Sequence, residues 1–238
     1  MEASELAERM YRSRLDGLVG LDLTALGLTR DQALELQLAV ADRFANAGDP
    51  VGGWKVARTS GTARDPSGFR PFGFVPSSKI LPSGASVPFA SFASLTIELE
   101  LCICRDDAGA VTGVAPSFEL VERRAAREAD DQTVVADASS NWGIVLGAIR
   151  PLPRTALREL DSRLYEGERL VATCVPGETM DDPLASVAHL DWLLGRFGRS
   201  AYPGRYVVTG AIVKATATGP GSWRGEFAEL GDVRVEFT

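Results

Sequence analysis

The chain has 238 residues, 45% of them hydrophobic and 24% charged, ordinary proportions for a globular protein that buries its own core. A net charge of −7 with no basic cluster speaks against a nucleic-acid partner, whose phosphates need neutralising. No apolar run approaches the roughly 20 residues of a membrane-crossing helix, the acidic start Met1-Glu2-Ala3-Ser4-Glu5 has no apolar leader segment, and three cysteines make no disulfide framework, so a cytoplasmic protein is expected.

Residues 3–16 place Leu6, Met10 and Leu15 at helical spacing and predict a short amphipathic helix ended by Gly17 and Gly20. Thr29-Arg30-Asp31-Gln32 has capping-box form, a hydroxyl at the N-cap and an amide three residues on. The helix after it runs through Leu34, Leu38, Val40, Ala41 and Phe44 and stops at Gly48-Asp49-Pro50. From residue 51 strands and turns take over. Gly52-Gly53-Trp54-Lys55-Val56-Ala57 predicts a strand entered over glycines, residues 61–73 a loop, and residues 80–88, with Pro82, Gly84 and Pro88, turn and edge. A strand over residues 94–104, a turn at Asp106-Asp107-Ala108-Gly109 and a strand over residues 117–122 come next. Residues 123–131 are charged, helix or exposed loop, and residues 133–142 pass from an apolar run into small polar residues. Residues 164–171 read as a hairpin turning at Gly167. Asp182-Pro183 is an N-cap with Pro at the first helical position, followed by Val187, Leu190, Leu194 and Phe197 up to Gly198. Residues 206–210 and 232–237 close the chain as strands, and the sum is an α+β protein dominated by irregular sheet.

The richest of these elements is Ser94-Leu95-Thr96-Ile97-Glu98-Leu99-Glu100-Leu101-Cys102-Ile103-Cys104. Its alternation sends Ile97, Leu99, Leu101 and Ile103 to one face and Thr96, Glu98, Glu100, Cys102 and Cys104 to the other. Two carboxylates then stand side by side, roughly 7 Å apart. From this stretch alone two readings stay open: a solvated acidic face, or the floor of a site where a divalent cation with oxygen ligands relieves the repulsion.

Several segments resemble, in order, the 2-keto-4-pentenoate hydratase and 4-oxalocrotonate decarboxylase family of the fumarylacetoacetate hydrolase superfamily. They are Gly53-Trp54-Lys55-Val56 with Thr59-Ser60, then Phe72-Gly73, the Glu98-x-Glu100 strand, Pro116-Ser117-Phe118-Glu119-Leu120-Val121, Ala136-Asp137-Ala138-Ser139-Ser140, Val207-Val208-Thr209-Gly210-Ala211 and Leu230-Gly231-Asp232-Val233-Arg234-Val235. The resemblance implies a mixed β-roll core behind a small N-terminal helical region, divided as residues 1–50 and a catalytic domain over residues 51–238. It implies a Mg²⁺ or Mn²⁺ site made by Glu98, Glu100 and Glu119, with Lys55 as the proton carrier, its pKa lowered by the cation. Asp137, Ser139, Ser140 and Thr209 become candidates to bind substrate; the plainer alternatives for them are a capping turn and a strand-end bend. The expected partner is a small 2-oxo acid, the expected assembly a homo-oligomer, and the expected reaction hydration of an enol or dienol. The alternatives are decarboxylation of a vinylogous 2-oxo diacid and a non-catalytic role in binding a metal or an acid.

Three departures from the family pattern bear on the reaction. Pro71 stands directly before Phe72-Gly73, where the hydratases carry an Asp. The connection from Glu100 to Glu119 is short enough for the two strands to join almost directly. Glu122-Arg123 replaces an Asp-Ser pair, and Ala138 an Asn. Outside the motifs, His189 falls on a predicted helix beside Asp191, and Cys102-x-Cys104 lacks the second ligand pair of a thiolate metal site. Arg58, Arg64 and Arg70 flank the loop after Lys55, each able in principle to bind a carboxylate.

Overall fold

A computed structural model describes residues 3–202 and 204–238, and every count below is made among them. Met1, Glu2 and Pro203 lie outside it, so the reading of the first two residues of the acidic start is not addressed. Helix α1 (Ala3–Leu15) and helix α2 (Arg30–Asn46) come first. Thr29 caps α2 as a full capping box, its hydroxyl accepting from the Gln32 amide and the Gln32 side chain accepting from the Thr29 amide. Leu6 and Met10 are buried as expected, but Leu15 is 58% exposed: the last turn of α1 has run past the surface it packs on.

The strands follow: β1 (Val51–Val56), β2 (Phe72–Pro76), β3 (Ile80–Pro82), β4 (Ala85–Val87), β5 (Leu95–Arg105) and β6 (Val111–Val121). After helix α3 (Asp131–Ala136) come β7 (Asn141–Leu146), β8 (Ser162–Glu166) and β9 (Arg169–Cys174). Helix α4 (Pro183–Arg196), capped by the Asp182 carboxylate, precedes β10 (Tyr206–Val208), β11 (Val213–Ala217), β12 (Gly221–Phe227) and β13 (Gly231–Phe237).

One sheet has the order β2-β1-β10-β5-β6-β7-β3, with β11 beside β10 on the same edge of β5. It mixes antiparallel pairs with the parallel pairs β1–β10 and β3–β7. The second sheet, β4-β13-β12-β8-β9, is likewise mixed. The first sheet curls until its ends approach, with Ile80 of β3 reaching the glycines of β1. Its concave face carries Lys55, Glu98, Glu100 and Glu119 and a small apolar cluster of Val75, Cys102, Cys104, Ala115, Ile144 and Val208. The convex face, with Ile97, Leu99, Leu101, Ile103 and Phe118, joins the main core with the second sheet and the helices. Where the sheets cross, a Cβ on Gly225 would meet Leu99 Cδ1 at 2.3 Å, so the closest approach is made over a residue without one.

The α+β class with a mixed β core is thus observed. Residues 80–88 are turn and edge as expected: β3 and β4 are edge strands of the two sheets, each paired parallel with one neighbour, and Ser83-Gly84 turns between them. Two expectations change: the loop expected over residues 61–73 gives way to β2 at Phe72, and residues 213–227 form two strands where no element was expected. No described helix is long and apolar enough to cross a membrane.

Candidate active site

The hairpin β5–β6 turns over Asp106–Gly109, and its register sets Glu98 directly opposite Glu119 and Glu100 opposite Ser117. All three glutamates point into the concavity, one oxygen from each lying within 4.8 Å of the others. Burial follows depth: Glu98 is half-buried, while Glu100 and Glu119 are buried. Across the curl, Lys55 donates from Nζ to Glu119 Oε1 at 2.5 Å and to the Ser139 carbonyl at 3.1 Å. Asn141 Nδ2 donates to the same Glu119 oxygen at 2.9 Å. Lys55, the three glutamates and Ser139 line a cavity of about 370 Å³, bounded further by Arg58–Ala63, Ser140 and residues 210–214, with Asn141 behind its wall.

The edge of β5 is interrupted at the site. Strand β10 leaves it after Val208 and β11 rejoins at Val213. In the gap the Gly210 amide donates to Glu100 Oε2 at 2.8 Å. Gly210 has φ +127°, and a Cβ there would meet Thr59 Oγ1 at 2.0 Å, so this amide is delivered over a glycine. Once β11 rejoins, Lys214 stands opposite Glu98 at the exposed rim.

The electrostatics call for a cation. Burial, then the charges of Glu119 and Glu98, push the Glu100 carboxyl well above the usual range. Burial and Glu119 push Glu98 up too, against the pull of Lys55 and Lys214. Burial draws the Lys55 ammonium down, but Glu119, Glu98 and Glu100 outweigh it, and its pKa stands above that of an ordinary lysine. The lowering expected of Lys55 therefore does not arise from the protein itself; it requires added positive charge. Glu119 Oε2 is buried without a hydrogen-bond partner. Three hard oxygen donors, one of them orphaned, fit a divalent ion of the Mg²⁺ type.

Two expected site residues sit elsewhere. The Asp137 carboxylate turns away from the cavity to accept from Arg14 at 3.0 Å and Arg124 at 3.1 Å, because two buried guanidiniums need a counter-charge. Burial, and Arg124 beside it, lower the Arg14 pKa to about 10 even with Asp137 opposing. The Thr209 hydroxyl donates to the Leu101 carbonyl inside the sheet, and its neighbour Gly210 reaches the site instead. Ser139 and Ser140 do line the cavity, and Ser139 Oγ is buried without a partner. Of the three arginines, Arg58 is on the wall, paired with Asp131, whereas Arg64 and Arg70 both bind Asp181. His189 is on α4, half-buried, with Nε2 3.2 Å from the Arg70 carbonyl. Asn141 and Lys214 were missed. Asn141 ends a small polar run with nothing to mark it, and Lys214 lies on an unrecognised strand.

Comparison with known proteins agrees with this frame. No protein-family model matches the chain. A curated 4-oxalocrotonate decarboxylase of Pseudomonas putida is 27% identical over 227 residues, 88% of this chain and 86% of the relative. The structure of 4-oxalocrotonate decarboxylase from Pseudomonas putida G7, complexed with magnesium and adipate, superposes with a TM-score of 0.88 at 23% identity over 99% of this chain and 97% of that one. Fumarylpyruvate hydrolase from Pseudomonas aeruginosa, in complex with Mn²⁺ and pyruvate, gives a TM-score of 0.56 at 17% identity over 80% of this chain and 91% of that one. The chain shares the fold of these proteins.

Proposed function

We propose that this chain, a diverged member of the 2-keto-4-pentenoate hydratase and 4-oxalocrotonate decarboxylase family, is a divalent-metal-dependent lyase acting on a 2-oxo acid. The observation that carries the reading is the buried Lys55 ammonium 2.5 Å from Glu119, inside a ring of three carboxylates that opens on a cavity. Glu98, Glu100 and Glu119 would hold Mg²⁺ or Mn²⁺. Such an ion, when bound, supplies Lewis-acid stabilisation of negative charge developing on the 2-keto oxygen. The protein's own residues do the rest. Gly210 and Asn141 fix the orientations of Glu100 and Glu119 through hydrogen bonds. Lys55, held between Glu119 and the Ser139 carbonyl, carries the proton. Ser139 and Ser140 offer polar contacts on the wall, and the surrounding sheet keeps bulk water from the deep end.

Within that class the reaction we favour is loss of CO₂ from a vinylogous 2-oxo acid. The bond to the departing carboxylate breaks, its electron pair moves through the conjugated double bond to the 2-keto oxygen, and one proton then completes the enol. That sequence needs a single proton carrier, whereas hydration also needs a group to handle the water. Pro71 cannot titrate where the family's hydratases carry an Asp, and the curated relative is a decarboxylase. Hydration, the first expectation from the sequence, remains the second reading because Lys55 can also protonate a dienol carbon.

Calorimetry with Mg²⁺ and Mn²⁺, alone and with oxalate as a 2-oxo acid mimic, tests the site. Binding is expected in the native protein and is expected to be lost in Glu98→Ala and Glu119→Ala; unchanged binding in both variants would sink the assignment. Incubation with 4-oxalocrotonate should release CO₂. Loss of 2-hydroxypenta-2,4-dienoate absorbance with no CO₂ from the first substrate would give the reaction to hydration. Binding of oxalate with neither activity would make the protein a non-catalytic acid binder.

A further inference from the structure

Between Asp137 and Asn141 the chain does something costly. Ala138, Ser139 and Ser140 have φ of 51°, 51° and 65°, three successive residues with a Cβ in the left-handed region. Both functional contacts of this segment depend on that turn: the Ser139 carbonyl on Lys55 Nζ, and the Asn141 amide on Glu119 Oε1. Something has to hold it, and two buried arginines bracket it. Arg14 of α1 donates to Asp137 Oδ1 at 3.0 Å and to the Asn141 carbonyl at 2.9 Å. Arg124, after β6, donates to Asp137 Oδ1 at 3.1 Å and to the Asn141 carbonyl at 2.9 Å. Each guanidinium therefore ties the residue before the turn to the residue after it. The planar, multi-donor geometry of arginine can make both bonds at once, which a lysine cannot reproduce. Glu122 supplies a second carboxylate, 3.4 Å from Arg124 Nη1, so the buried charges balance.

We propose that Arg14 and Arg124 are positioning residues for the metal and proton site, holding the left-handed turn at Ala138–Ser140 so that Ser139 and Asn141 orient Lys55 and Glu119. This rests on the metal-site reading above, and it makes the N-terminal helix a working part of the site. An arginine clamp that acts through ligand orientation, rather than by packing alone, should cost on the order of ten- to a hundred-fold in metal affinity when broken.

The test is calorimetric titration of the full chain with Mg²⁺, in parallel with melting temperature. Arg14→Lys keeps the charge and loses the double bond across the turn, so its Mg²⁺ affinity should fall about ten-fold or more in protein that is still folded. Adding Ala138→Gly, which favours the left-handed conformation intrinsically, should restore part of that loss. A folded Arg14→Lys protein with native affinity overturns the inference, and so does a loss that Ala138→Gly leaves in place, because the arginine would then matter for packing alone. If Arg14→Lys does not fold, Arg124→Lys carries the same expectation from the other arm of the clamp. A native protein that binds no Mg²⁺ would sink the metal reading and this inference with it, whereas native binding beside an unaffected variant sinks this inference alone.

Discussion

In the proposed reaction Lys55 carries the proton, and its state is set by three neighbours rather than by its own strand. With Glu119, Glu98 and Glu100 around it, the ammonium is favoured despite burial. Lys55→Met should lower kcat by at least about a hundred-fold, the usual contribution of a placed proton carrier, while calorimetry still detects Mg²⁺ binding because the three carboxylates remain. Retention of most activity would remove Lys55 from the reaction. Glu98 and Glu100 were legible because strand alternation puts them on one face whatever the fold. Asp137 and Thr209, expected on the cavity, lie off its lining for a related reason. Sequence order places them beside the site, but their side chains answer to Arg14, Arg124 and the Leu101 carbonyl, partners set by residues far away along the chain. Lys214 was invisible, since opposing Glu98 is a property of register.

At the scale of elements, local chemistry was read best where a short motif satisfies its own backbone. The capping box at Thr29 and the Asp182-Pro183 start of α4 are both observed. The β5–β6 hairpin follows from the short connection between Glu100 and Glu119, and its register is what sets Glu98 opposite Glu119. Residues 80–88 were legible as turn and edge from Pro82, Gly84 and Pro88. Strands β11 and β12 were not read, because their Gly, Ala, Lys and Glu residues carry weak strand propensity and they are held by pairing with the distant β5 and β8. The contact between sheets offers a stability test. Gly225→Ala would drive its Cβ against Leu99 and Phe118, and denaturant melts should show a loss of about 1–3 kcal/mol, as overpacking a core does. A variant as stable as the native protein would show that the two sheets can separate freely there.

For the molecule as a whole, a cluster of buried carboxylates is a liability that a cation converts into an asset. The folded pKa values of Glu98 and Glu100 are raised above their unfolded ones. Their contribution to stability is therefore fully present below the ordinary carboxylate range and is lost as pH rises through the raised values. Metal-stripped protein should accordingly melt lower at pH 8 than at pH 5 on account of this site. Saturating Mg²⁺ should raise the melting temperature more at pH 8, with stabilisation of about 2.7 kcal/mol at a hundred times Kd. Glu100→Gln should stabilise the metal-free protein at pH 8 and abolish the gain from Mg²⁺. An equal Mg²⁺ gain at both pH values would remove the carboxylates from the linkage. The sequence by itself determined helices α1, α2 and α4 with the caps of the last two, the two-faced strand with its paired glutamates, the turn that joins it to Glu119, and the family likeness, because each is written in local spacing. Only the tertiary structure decided that the polar face of that strand lines the inside of a curled sheet. It brought Lys55 and Glu119 together across the curl, sent Asp137 to a pair of arginines, and tied the N-terminal helix to the site. Those outcomes depend on register and curvature, which are set by contacts between residues far apart in the chain.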